Sequence, residues 1–80
     1  MLTLYVQEEC PYCAKVFEAA EPLGITFEQR DIADPAIERA LEERGGKIQT
    51  PYLIDSETGT ELYESDAIIT YLHQHFGKDG

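Results

Sequence analysis

Cys10-Pro11-Tyr12-Cys13 places the two cysteines of this chain one helical turn apart. A disulfide between them would close almost no loop, and the stabilisation given by a crosslink grows with the loop it closes. The spacing points instead to thiol chemistry. Pro11 suits the first position of a helix, where its missing N–H is no loss, so Cys10 is expected at a helix N-terminus. Unpaired backbone N–H groups and the helix macrodipole favour negative charge there, conditions that lower a thiol pKa from about 8.5 to roughly 3.5–7.5. Cys10 is thus the expected nucleophile. Cys13, one turn further in, is expected buried and protonated, able to attack a mixed disulfide formed at Cys10. Zinc is the competing use of such a pair, and structural zinc usually takes four ligands. The other candidates, His73 and His75, lie far along the chain and, two apart on a helix, point in different directions. No metal is expected.

The elements that must position this pair follow from periodicity and punctuation. Leu2 to Val6 reads as a buried strand ending in the polar loop Gln7-Glu8-Glu9. The helix begun at Pro11 continues through Ala14, Val16, Phe17, Ala19 and Ala20, until Pro22 disfavours helix at Glu21 and Gly24 closes the turn. Ile25 to Arg30 alternates apolar and polar residues, as a half-buried strand does. Asp34 is a good N-cap for a second helix with Pro35 at its first position, Ile37 and Leu41 on one face, and Gly45-Gly46 at its end. Tyr52-Leu53-Ile54 and Thr60 to Tyr63 flank the turn Asp55 to Gly59 and read as an antiparallel hairpin. Ser65 or Asp66 is expected to cap a last helix whose apolar face is Ile68, Ile69, Leu72 and Phe76. The order β-α-β-α-β-β-α predicts an α/β fold. A right-handed crossover gives parallel strands, the hairpin adds antiparallel ones, and helices flank a four-stranded mixed sheet.

Composition narrows the function classes. Eighty residues, 42% of them hydrophobic and without internal repeats, suit one small domain over residues 1–80. No apolar stretch approaches the roughly 20 residues of a membrane helix, and Met1 to Val6 lacks the basic head of a signal peptide. A cytoplasmic monomer with reduced cysteines is expected. The formal charge of −10 argues against nucleic acid and anionic membrane as partners. It also repels an anionic small ligand unless positive groups are gathered locally.

On these residues the chain resembles glutaredoxins, in which Cys-Pro-Tyr-Cys follows the first strand and a threonine or valine before a proline precedes the third. Thr50-Pro51-Tyr52-Leu53-Ile54 carries the second mark. Tyr63-Glu64-Ser65-Asp66-Ala67-Ile68-Ile69-Thr70-Tyr71-Leu72 carries a third, and there the wording is similar to the amino-terminal domain of glutathione transferases. The resemblance covers the chain to Gly77 and implies a thioredoxin-like fold. It implies catalytic Cys10 and Cys13, supported by Pro11, Tyr12 and a cis Pro51. It further implies glutathione as cosubstrate, its cysteinyl part at Thr50 and Pro51 beside Tyr12. In the family the acidic-serine pair binds the γ-glutamyl end, which assigns Ser65 to the carboxylate and Asp66 to the amine. Lys47, assisted by Gln49, is the expected partner of the glycine carboxylate, and Lys15 the expected offset to Glu8 and Glu9.

The activity so implied is a thiol–disulfide oxidoreductase acting on disulfide-bearing or glutathionylated proteins, with a role in electron transport and redox homeostasis. Two alternatives stand beside it: an iron–sulfur module in which two copies and glutathione hold the cluster through thiolates, and a thioredoxin-like electron donor to one dedicated enzyme. The chain departs from glutaredoxins in two places. Gln7-Glu8-Glu9 stands where a basic residue is common, so two carboxylates are expected to oppose a thiolate at Cys10. Tyr63-Glu64 stands where many members have a glycine pair. Read alone, Thr50-Pro51 is equally an ordinary strand entry, and Ser65-Asp66 an ordinary helix cap.

Overall fold

Leu2, Leu4 and Val6 alternate with Thr3 and Tyr5 in strand β1, Leu2–Val6, and the alternation divides the interior in two. Leu2, Leu4 and Val6 join one core cluster, and Tyr5 joins another on the opposite face. The computed structural model describes residues 1–77. Along the chain follow α1 (Pro11–Ala20), a 3-10 turn (Glu21–Leu23), β2 (Glu28–Asp31), α2 (Pro35–Gly45), β3 (Tyr52–Asp55), β4 (Thr60–Tyr63) and α3 (Ser65–Phe76). The sheet order is β2-β1-β3-β4, with β1 and β2 parallel and the other pairs antiparallel. This is the thioredoxin-like α/β topology: a four-stranded mixed sheet flanked by helices.

Helical spacing decides what each helix buries. Cys13, Val16 and Ala20 share one face of α1, and Ile68, Tyr71 and Leu72 one face of α3; both pack on Leu4 and Leu53. Helix α2 takes the other face of the sheet, laying Leu41 and Ile37 against Tyr5, Ile32 and Tyr52. Asp34 caps α2 by accepting the Ala36 N–H at 2.9 Å. On the same side the Tyr52 hydroxyl donates to Glu61, which also pairs with Arg44 at 3.1 Å. Burial first, then the neighbouring Glu61 carboxylate, pushes the Tyr52 phenol up.

Three boundaries differ from the sequence reading. Strand β2 begins at Glu28 rather than Ile25, because pairing starts at Thr3 with Glu28. Ile25 and Phe27 lie short of that register; they pack against the α1–α3 core instead, and the Ile25 N–H bonds to the Ala20 carbonyl at 3.3 Å. Glu21 stays helical (φ −58°, ψ −51°) although Pro22 follows it. The chain tightens there into a 3-10 turn with Pro22 near its start, where no donor is needed, and Gly24 at φ +72° ends it. Neither Ser65 nor Asp66 is the cap of α3: Ser65 is its first residue, and Glu64 stands at the N-cap without a side-chain bond.

A buried polar clasp ties the hairpin to α3. The Tyr71 hydroxyl donates to Asp55 Oδ2 at 2.6 Å and lies 2.8 Å from Thr58 Oγ1, while Asp55 Oδ1 accepts the Glu57 N–H at 3.0 Å. The hydrogen bond from Tyr71 holds the Asp55 carboxyl below the usual carboxylate range. Among the described residues no helix is long and apolar enough to cross a membrane.

Tyr71→Phe leaves this carboxylate buried with one partner fewer, a loss of about 1–3 kcal/mol at neutral pH. A carboxyl whose folded pKa is depressed contributes stability above its unfolded pKa, near 3.8, and loses it as pH falls through the folded value. The stability gap between wild type and Tyr71→Phe, measured by urea unfolding, is therefore expected to shrink below about pH 4. A gap equally wide at pH 3 and pH 7 contradicts the clasp.

Candidate functional site

The start of α1 holds the thiols. Cys10 is the N-cap residue, extended at φ −91° and ψ 109°, with Pro11 opening the helix. Cys10 is half-buried, whereas Cys13 is 3% exposed and belongs to the core with Val16 and Ile68. Two opposed effects act on Cys10. Burial pushes its thiol up, but the Thr50 hydroxyl and the backbone and thiol of Cys13, with the Tyr12 N–H, outweigh it and bring the pKa below the ordinary thiol value. Burial, then the neighbouring Cys10, pushes Cys13 up. The opposition expected from Glu8 and Glu9 is not what sets Cys10: both are exposed to water and neither is a cause of its shift.

The loop from α2 to β3 meets that helix start. The Thr50–Pro51 peptide bond is cis, and the Pro51 side chain is fully buried. Thr50 Oγ1 lies 3.5 Å from Cys10 Sγ, and that sulfur lies 4.0 Å from the Thr50 carbonyl. Tyr63 braces the loop from strand β4. Its hydroxyl donates to the Lys47 carbonyl at 2.5 Å, and its ring lies so close to Gly45 that a Cβ there would fall 2.7 Å from ring carbons. The Lys47 ammonium sits 4.8 Å over the same ring.

The third component is the start of α3. Glu64 has φ +76° and ψ 118°, a region that residues with a Cβ avoid and that tends to be held at functional sites. Its Oε2 accepts from Gln49 Nε2 at 3.2 Å, which ties the α2–β3 loop to α3. Ser65 is 7% exposed. It opens a twelve-residue helix, and because no buried polar side-chain atom among the described residues is left without a partner, its hydroxyl is not an orphaned group.

These parts surround one cavity of about 350 Å³. Gln49, Thr50 and Pro51 line it from the loop, Glu64, Ser65 and Asp66 from α3, and Tyr12 and Lys15 from α1. Of the residues expected from sequence, Tyr12, Gln49, Thr50, Pro51, Ser65 and Asp66 thus meet here, and Cys10 adjoins them through Thr50. Pro11 opens α1 beside them. Lys47 does not line the cavity, because its charge is turned onto Tyr63. Two lining residues were given no ligand-binding role from sequence. Lys15 carries no sign of its target, and the backbone of Glu64 has no signature at all, since its type predicts no positive φ. Among the described residues no group of three or more His, Cys, Asp or Glu side chains converges as a metal site. His75 stacks on Tyr71 instead, with ring centroids 4.2 Å apart.

Thr50→Val removes the hydroxyl that stabilises the Cys10 thiolate while keeping the shape of the side chain. The pH profile of Cys10 alkylation by iodoacetamide is expected to move upward, with a several-fold slower reaction at neutral pH. Cys13 is expected to react only on unfolding. An unmoved profile removes Thr50 as the cause.

Comparison with known proteins bears on what this cavity serves. Residues 4–80 match the family model for the glutathione S-transferase N-terminal domain. Among solved structures, glutathione S-transferase 1-6 from Anopheles dirus species B is 30% identical with a TM-score of 0.82, covering 96% of this chain and 37% of its own. A delta-class glutathione transferase from Nilaparvata lugens is 27% identical with a TM-score of 0.83, covering 99% and 38%. A thioredoxin-like protein, 24% identical with a TM-score of 0.77 over 92% of this chain and 96% of its own, shares the fold. The chain thus spans little more than a third of the transferases it matches. A search of curated proteins gave no match. These findings overturn the glutaredoxin-type oxidoreductase expected from Cys10 and Cys13, together with its electron-transport role and the thioredoxin-like donor beside it. The matching family is that of a transferase domain, and Cys13 is packed as a small core residue. Matched over residues 4–80, this chain belongs to the glutathione S-transferase N-terminal domain family.

Proposed function

We propose that this domain binds glutathione in the cavity between the starts of α1 and α3 and the Thr50–Pro51 turn, supplying the glutathione half of a transferase site. The observation that carries the reading is the place of Ser65, a residue only 7% exposed that opens α3 at its positive end and lines the cavity together with Thr50 and Pro51. A hydroxyl and free N–H groups at a helix N-terminus are a ready seat for a carboxylate. The γ-glutamyl carboxylate fits there, and its ammonium fits Asp66 and Glu64, which line the same wall. The peptide then lies along the loop with its cysteinyl backbone at Thr50 and its glycine end toward Gln49. Its sulfur comes to the half-buried Cys10 side of the site. A cavity of about 350 Å³ lies within the usual range for small-molecule sites, about 300–1,000 Å³.

Binding to the folded state alone raises stability by about 2.7 kcal/mol at 100 times the dissociation constant. For a chain of 80 residues this corresponds to a rise in Tm of roughly 10–20 °C. Thermal unfolding with and without glutathione is expected to show such a rise, much reduced in Ser65→Ala. Absence of any shift in wild type sinks the reading, and a shift that Ser65→Ala leaves whole removes Ser65 from it.

A further inference from the structure

The charge pattern of the cavity is unusual for a ligand with two carboxylates. Glu64 and Asp66 line it, and the only lining cation among the described residues is Lys15. The whole chain carries −10, and physiological salt limits useful compensation to charges within about 8 Å. A local cation therefore has to do what the net charge opposes.

Three cations of the described residues are engaged elsewhere. Lys47 lies over Tyr63, Arg44 pairs with Glu61 at 3.1 Å, and Arg30 with Glu28 at 3.4 Å. Lys15 differs because of where it stands on α1. Side chains on a helix lean toward its N-terminus and meet those three positions earlier. The Lys15 ammonium accordingly reaches back over Tyr12, 5.8 Å from the ring centroid, within the range of a cation–π contact. Tyr12 is 55% exposed at the cavity wall. Helix α1 packs beside α3, whereas α2 lies across the sheet. Lys15 thus lines the cavity from the helix that packs beside the one Ser65 opens.

Resting on the glutathione reading above, we propose that Lys15 is a specificity-determining residue: its ammonium pairs with the α-carboxylate of the γ-glutamyl group, the same carboxylate that Ser65 receives. Tyr12 steers that ammonium, and Glu64 and Asp66 match the neighbouring ligand amine. Lys15 reads the free amino-acid end of the peptide.

Three peptides separate the possibilities: glutathione, γ-glutamylcysteine, which lacks the glycine carboxylate, and 4-aminobutanoyl-cysteinylglycine, which lacks the α-carboxylate. Dissociation constants are measured by protein NMR titration, which reaches the millimolar range, for wild type, Lys15→Gln, Lys15→Arg and Arg39→Gln. Arg39 is exposed on α2 and controls for net charge. An exposed ion pair gives up to about 1 kcal/mol, or roughly fivefold in affinity. Lys15→Gln is expected to weaken glutathione and γ-glutamylcysteine by about that factor and to leave the decarboxylated peptide unchanged, with Lys15→Arg restoring most of the loss. An equal loss on all three peptides, a loss confined to those with glycine, no loss at all, or the same loss in Arg39→Gln overturns the assignment. Failure of wild type to bind glutathione overturns instead the site reading on which it rests.

Discussion

Leu4 and Leu53 face each other across the β1–β3 pair, neither with any exposed surface, and the rest of the domain is arranged around that contact. Side chains alternate along a strand, so a slip of one residue would exchange Leu2, Leu4 and Val6 for Thr3 and Tyr5 on the face that carries α1 and α3. With the register fixed, α1 and α3 lie side by side on one face with their N-termini at one edge of the cavity. The turn into β3 is delivered to the same place, because Pro51 directly precedes the strand. Convergence of a thiol, a threonine and a serine from three distant segments is thus a consequence of strand pairing.

Much of this was legible in the sequence, and the reasons are local. Asp34-Pro35 announced α2 because capping and a proline at the first helical position are short-range effects, and both occur as expected. Strand β1 and the hairpin were legible from alternation. The beginning of β2 was not, since what decides it is where β1 supplies a partner, a property of the pair. Residues 65 and 66 reached the cavity wall by sequence position, yet the backbone of Glu64 that turns the chain there follows from tertiary constraint.

The two lysines show a different limit. Lys47 stands nearest in sequence to the Thr50–Pro51 turn, but the aromatic face of Tyr63 takes its charge. Lys15 stands far from that turn in sequence and reaches the cavity because α1 packs against α3. The functional misreading has a similar source. A two-cysteine motif weighs heavily when its residues are counted as chemistry, whereas Cys13 in the folded chain is one of the small side chains that let α1 sit close to the sheet. The Tyr63–Leu72 segment held the better signal, and it names the family that the comparisons match.

Glu64 gives this site an internal conflict. A positive φ at a residue with a Cβ carries of order 1–3 kcal/mol of strain, and Glu64 adopts it at φ +76° beside the cavity. Glycine there would relax the backbone while forfeiting the carboxylate that accepts from Gln49 at the cavity wall and that the proposed binding mode sets against the ligand amine. Position 64 is therefore a point where a sturdier backbone and a carboxylate at the cavity wall pull in opposite directions, so that a more stable sequence of this domain would come at the expense of the polar wall on which the proposed recognition rests.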